Sequence, residues 1–158
     1  MIKAYLDSYN KITLEVSKNY YGGKISSLYI LTKCGPEKLE ELQVNGNFEK
    51  YIEYVLNFNG EIELGEEYYL IDDYGFKVLL EYRYITKSEK FKKDTFTNEY
   101  LGYSYTKNET TFSLWAPISN DVILLLNTMG YYKMRKQGLT GAITILDVPV
   151  SLLSTKTR

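Results

Sequence analysis

Short alternating runs punctuated by turn residues constrain this chain most, because a period of two cannot be satisfied by helices. Ile2 to Leu6 and Lys11 to Val16 alternate apolar and polar side chains across Asp7-Ser8-Tyr9-Asn10. That pattern predicts strand, turn and strand. Tyr21-Gly22-Gly23 breaks the chain, Ser27 to Thr32 reads as a buried strand, and Gly35-Pro36 stops it. Pro36 to Gln43 is the one helical candidate, with Leu39 and Leu42 at i, i+3; its alternative is an irregular connection. Val44-Asn45-Gly46 would end it. Strands are expected again at Lys50 to Phe58, Glu61 to Leu64 and Glu67 to Ile71. Asp72-Asp73-Tyr74-Gly75 then reads as a hairpin turn. Phe76 to Ile85 reads as the longest strand, with Lys77, Glu81 and Arg83 facing water. The pattern predicts an all-β protein whose N-terminal domain is sandwich-like.

Thr86 to Thr97 changes character. It holds four lysines and few apolar residues, so it reads as a solvated linker or exposed edge at a domain boundary. Strands follow at Glu99 to Ser104, Thr110 to Trp115 and Asp121 to Leu126, the last two joined by Ala116-Pro117-Ile118-Ser119-Asn120.

Composition narrows the chemistry. Tyrosine, at 17 of 158 residues, favours strands and amphipathic surfaces. With no histidine there is no Ser-His-Asp or Cys-His nucleophile and no imidazole metal ligand. One cysteine, Cys34, leaves no disulfide framework or thiolate cluster, and suits a reducing compartment. No metal and no cofactor is expected. A net charge of −1 argues against a nucleic-acid or membrane footprint. The N-terminal residues break any signal-peptide pattern, and no run approaches the ~18 apolar residues of a membrane span. A soluble cytoplasmic protein is expected.

Residues 100–127, YLGYSYTKNETTFSLWAPISNDVILLLN, carry the most specific pattern. Thr111-Phe112 followed by Trp115-Ala116-Pro117 and a Val-Ile-Leu strand closely resembles the start of carbohydrate-binding module family 48. That is the immunoglobulin-like domain preceding the barrel in pullulanases, isoamylases and branching enzymes of glycoside hydrolase family 13. Upstream, Asp72-Asp73-Tyr74-Gly75, a long strand, Asp94-Thr95-Phe96 and Tyr100-Leu101-Gly102 resemble the N-terminal region of type I pullulanases. The resemblance covers about residues 1–138. It implies a pullulanase-type β domain at 1–90, a partial family 48 module at 98–138, immunoglobulin-like, and a divergent tail at 139–158. Pro117 lacks an N–H and must end a ladder or sit at an edge. Trp115 therefore lies at a strand end, either packed or exposed as a sugar platform.

From Leu139 the family pattern fails. The 59 residues from Tyr100 onward fall short of the ~100 of an immunoglobulin-type sandwich. The expected product is a truncated, non-catalytic fragment lacking the barrel, which alone takes ~250 residues. Asp72 and Asp73 read as turn residues rather than a catalytic pair. The resemblance implies either weak α-glucan binding or a purely structural, interacting β domain. For sugar contact it points to Tyr131, Tyr132 and Lys133, helped by Asn127, since aromatic rings stack on sugar faces. An incomplete sandwich also leaves strand edges open to self-association.

Overall fold

The computed structural model describes residues 1–39, 42–57, 60, 62–126, 130–137 and 143–149. It divides into two compact units, Met1–Glu63 with Glu67–Lys92, and Leu64–Glu66 with Lys93–Arg158. The class is all-β, and among the described residues helix is confined to short segments.

The first unit contains β1 (Ile2–Ser8), β2 (Lys11–Ser17), β3 (Leu28–Thr32), β4 (Gly35–Leu39), β5 (Gln43–Asn47), β6 (Tyr51–Asn57), β7 (Tyr69–Asp72) and β8 (Lys77–Tyr82). They form one eight-stranded sheet in the order β4-β3-β7-β8-β1-β2-β6-β5. Neighbours are antiparallel except β1 and β8, which run parallel. Strand β8 divides its pairing: Lys77, Val78 and Leu79 face β7, whereas Leu80, Glu81 and Tyr82 face β1. A strand that changes partners midway turns the sheet, as corner strands do in sandwiches.

Register puts the apolar set on one face. Ala4 opposes Leu14, Leu6 opposes Ile12, and Ile12 opposes Leu56. Across the corner Ala4 opposes Leu80, and on the far side Ile30 opposes Leu70. All are buried, along with Ile2, Val16 and Leu28. Each such large side chain is worth about 1.5–3 kcal/mol of transfer free energy.

Four local expectations fail, each for a visible reason. Of the helix expected over Pro36 to Gln43, Pro36 to Leu39 lies instead in the strand Gly35–Leu39, returned by a hairpin turn at Lys33-Cys34 that pairs Thr32 with Gly35, and residues 40–41 lie outside the described residues. Thr32 Oγ1 fixes that turn, accepting the Cys34 N–H and donating to the Gly35 carbonyl. Pro36 is tolerated because β4 is an edge strand. Nor does Val44-Asn45-Gly46 end an element; it lies within β5, where a bulge sets Val44 against Tyr54 and Gly46 against Glu53. Ile62–Leu64 joins no ladder, although Ile62 is buried and its N–H donates to the Tyr9 carbonyl. Strand β8 ends at Tyr82, shorter than β1, and Arg83 turns to an ion pair rather than to water.

The lysine-rich stretch is not a free linker either. Ile85–Lys87 makes a 3-10 turn and α1 spans Glu89–Asp94. Ser88 Oγ caps the helix by accepting the Phe91 N–H. Ile85, Phe91 and Thr95 are buried while the lysines stay outside.

The second unit has a four-stranded sheet ordered β13-β14-β10-β9, and a two-stranded hairpin of β11 and β12. Their spans are β9 Gly102–Tyr105, β10 Glu109–Trp115, β11 Ile123–Leu126, β12 Gly130–Lys133, β13 Arg135–Gln137 and β14 Ile143–Pro149. Strand β14 comes from the divergent tail and pairs with β10 along its whole length, from Glu109↔Pro149 to Trp115↔Ile143. Val148 is buried, whereas Leu114, Ile123 and Leu125 are exposed.

Gly65 closes a tight approach in this unit. Its φ is +77°, and a Cβ there would lie 2.9 Å from the Ser119 carbonyl oxygen. Gly65→Ala should therefore cost about 1–3 kcal/mol in chemical denaturation; a neutral substitution would refute the close approach. Deleting residues 139–158 should strip amide protection from residues 110–115, since β10 loses β14. Hydrogen exchange reads this directly, and unchanged protection would show that β14 is dispensable.

Candidate functional site

The residues expected to meet sugar lie on β12 and its surroundings. Leu125 opposes Tyr131, Leu124 opposes Tyr132, and Ile123 opposes Lys133. Alternation therefore puts Tyr131 and Lys133 on one face with Ile123 and Leu125, and Tyr132 on the other. Tyr131 is 78% exposed; Tyr132 is half-buried. The structure brings together Tyr131 and Lys133 and separates Tyr132 from them. Asn127 lies outside the described residues. Lys133 Nζ also meets Asp121 Oδ1 at 2.6 Å, a pair signalled in the sequence only by opposite charges flanking the hairpin.

The Trp-Ala-Pro motif closes β10. Phe112 is half-buried, Ala116 and Pro117 are buried, and the ladder stops before the proline. Trp115 is 43% exposed, and its Nε1–H donates to the Thr95 carbonyl at 2.8 Å. That bond anchors the indole and leaves part of its ring in solvent.

Two polar clusters in the first unit lie outside those expectations. Arg83 Nε and Nη2 donate to Asp7 Oδ1 and Oδ2 at 2.7 and 2.8 Å, a bidentate pair between the ends of β1 and β8. Thr13 Oγ1 donates to the same carboxylate at 2.5 Å. The guanidinium lies over the rings of Tyr5 at 4.5 Å and Tyr84 at 4.6 Å. Burial works against ionisation of Asp7, but the hydrogen bonds from Arg83 and Thr13 and the Arg83 charge outweigh it and hold the carboxyl below its usual range. The partners are 76 residues apart in sequence, so no local pattern announces them.

The second cluster surrounds the turn between β7 and β8. Asp72 is buried; its Oδ1 accepts the Tyr74 and Phe76 N–H groups at 3.0 and 2.7 Å, and its Oδ2 accepts the Tyr20 hydroxyl at 2.6 Å. Asp73 accepts the Ser26 hydroxyl. Desolvation and the Asp72 carboxylate push the Tyr20 hydroxyl well above the usual phenol range. For Asp73, burial raises the pKa, but the Ser26 hydroxyl and neighbouring backbone N–H groups bring it below the ordinary value. These carboxylates shape a turn, as Asp-Asp-Tyr-Gly predicts. Around them Tyr21 and Tyr74 stack with centroids 3.6 Å apart and planes 6° apart, and Tyr20 meets both edge to face. The Tyr-Tyr pair before Gly-Gly was the available signal, read from sequence only as a break.

Among the described residues no group of three or more metal-ligating side chains converges. No helix there is long and apolar enough to cross a membrane.

A family model for the pullulanase N1-terminal domain matches residues 2–87. The chain belongs to the pullulanase N1-terminal domain family, and the matched span holds all of β1–β8. Its fold is similar to that of a pullulanase from Anoxybacillus sp. LM18-11 crystallised with maltotriose. The TM-score is 0.81 at 21% identity, covering 94% of this chain and 22% of that one. The type I pullulanase of Bacillus subtilis str. 168, crystallised with maltose, gives 0.77 at 20% identity, covering 94% and 21%. A pullulanase from Bacillus acidopullulyticus gives 0.53 at 13%, covering 93% and 32%. At these identities the fold is what is shared. The chain spans about a fifth of the Anoxybacillus and Bacillus subtilis proteins. No curated protein matches it.

Removing Arg83 should expose the Asp7 contribution. Arg83→Ala should cost about 1.5–3 kcal/mol near pH 7, the range for hydrogen bonds to charged groups, trimmed by partial solvent screening. A depressed folded-state pKa gives stability above the ordinary carboxylate pKa that is lost as pH falls through the folded value. The gap between wild type and variant should therefore narrow between about pH 5 and pH 2. A gap independent of pH would assign the loss to packing over Tyr5 and Tyr84.

Proposed function

We propose that this chain acts as a non-catalytic accessory region of a pullulanase-type glycoside hydrolase of family 13, serving α-glucan metabolism in the cytoplasm. The match of residues 2–87 to the pullulanase N1-terminal domain carries this reading. The exposed thiol of Cys34 fits a reducing compartment. In this reading the second unit is a partial family 48, immunoglobulin-like module. Its glucan-facing surface is the Tyr131–Lys133 face of the β11–β12 hairpin, where a sugar ring stacks on Tyr131 and Lys133 meets its hydroxyls.

The alternative is a structural or interaction domain without sugar affinity. Tyr132, turned to the opposite face, favours it, and the edge strands β4, β5, β9 and β13 would then support self-association.

Affinity electrophoresis separates the two readings. The chain should be retarded in amylopectin or pullulan gels, and Tyr131→Ala should lower that retardation without changing the melting temperature. Equal mobility with and without polysaccharide would favour the structural reading. The purified chain should release no reducing sugar from pullulan or starch. Release that disappears on substituting one of its own carboxylates would overturn the non-catalytic assignment.

A further inference from the structure

We propose that the open edge of β9 is a homotypic contact, at which two copies of this chain join antiparallel about a two-fold axis through Tyr103. The inference rests on the self-association named above and deepens it to one edge, one partner and one register.

The absence of any guard singles out this edge. Four strands end the two larger sheets, and three of them carry devices that discourage pairing. Strand β4 holds Pro36, Glu37 and Lys38, β5 is interrupted by its bulge, and β13 presents Arg135 and Lys136. Strand β9, Gly-Tyr-Ser-Tyr, has no charge, no proline and no bulge. All four of its residues are exposed, Tyr103 by 68% and Tyr105 by 67%. A bare edge of this kind is a template for a further strand.

The ladder with β10 fixes which groups the edge offers. The Thr106 N–H donates to the Glu109 carbonyl, so residues 106 and 109 form a hydrogen-bonded pair at the head of the hairpin. Bonded and non-bonded pairs alternate along an antiparallel ladder. Ser104 therefore turns its backbone groups to Thr111, while Tyr103 and Tyr105 turn theirs to the open side. Both tyrosine side chains lie on one face with Phe112, because opposed residues share a face.

Charge then selects the partner and the register. If Tyr103 meets Tyr103 of a second copy, Tyr105 meets Leu101, and Glu99 comes opposite Lys107 once on each side of the axis. Sliding the copies until Tyr103 meets Tyr105 sets Glu99 against Glu109 and loses the match. Glu99 and Lys107 are exposed, and among the described residues neither takes part in an ion pair. Aromatic and opposite-charge pairs across a ladder both favour association. A two-fold contact uses one edge of each copy and closes at two. With so short a ladder the dimer is weak and forms only at high concentration.

Sedimentation velocity on the full chain over a concentration series tests this. The wild type should pass from monomer to dimer and stop there; growth beyond two copies would refute the two-fold contact. Glu99→Lys and Lys107→Glu should each weaken dimerisation roughly three- to tenfold, since each change replaces both symmetry-related attractions with repulsions. The double variant should regain the wild-type dissociation constant, and single variants without that rescue would refute the register. Tyr103→Pro should leave a monomer with an unchanged circular dichroism spectrum, because the N–H it removes points away from β10. The charge swap decides the question if the proline variant does not fold. If the wild type dimerises and every variant matches it, the β9 seam is refuted while self-association stands. If the wild type stays monomeric throughout, self-association fails and the seam with it.

Discussion

The parallel contact between β1 and β8 is the constraint on which the first unit depends. Every other pairing in its sheet is antiparallel, and β1–β2, β3–β4, β5–β6 and β7–β8 join strands consecutive in the chain, whereas β2–β6 and β3–β7 bridge intervening strands. The β1–β8 pairing joins the first strand to one more than seventy residues later, and it does so with half a strand. Because β8 gives its first residues to β7 and its last to β1, two otherwise separate ladders share one corner. Only then do Ala4 and Leu80 meet and the apolar face close on itself. Arg83, just beyond the corner, ties it to the end of β1 through Asp7. The charge pair sits beside a ladder of three residue pairs, and there a bidentate contact reinforces the register.

Much of this was legible. Alternation located β1 and β2, a compact apolar run between turn residues located β3, and the acidic turn before β8 was plain from its residues. What failed was sequence whose local preference is set by position in the sheet. Pro36 and Gly46 read as breakers, and at interior positions they would be; at the edges one is harmless and the other belongs to a bulge. Residues 86–97 read as solvent-loving because lysines dominate the count, yet Phe91 and Thr95 within them, and Ile85 just before, are buried. Ser88 caps α1 by accepting the Phe91 N–H, a signal that a count of lysines does not register.

Sites were less legible than strands. Alternation fixes which side chains share a face but not which faces stay open. Neighbours in sequence, Tyr131 and Tyr132 read as a pair, yet the pleat sends them apart. Tyr21 and Tyr74 belong to different turns, and nothing in either turn predicts the other. Aromatic chemistry in a β protein is gathered by tertiary pairing, so local reading finds its residues and misses its constellations.

Strand β14 has a kinetic side. It occupies a central place in its sheet although β11, β12 and β13 all precede it in the chain. Until it docks, β13 has no ladder and β9 with β10 is a lone hairpin, marginal in water. During that interval β10 presents an open edge to any passing strand, a second copy of this chain included. The order of emergence thus makes the second unit a slow assembler, vulnerable to mispairing in proportion to its concentration while nascent. Its yield on expression would be governed by crowding of unfinished chains rather than by the depth of the native well.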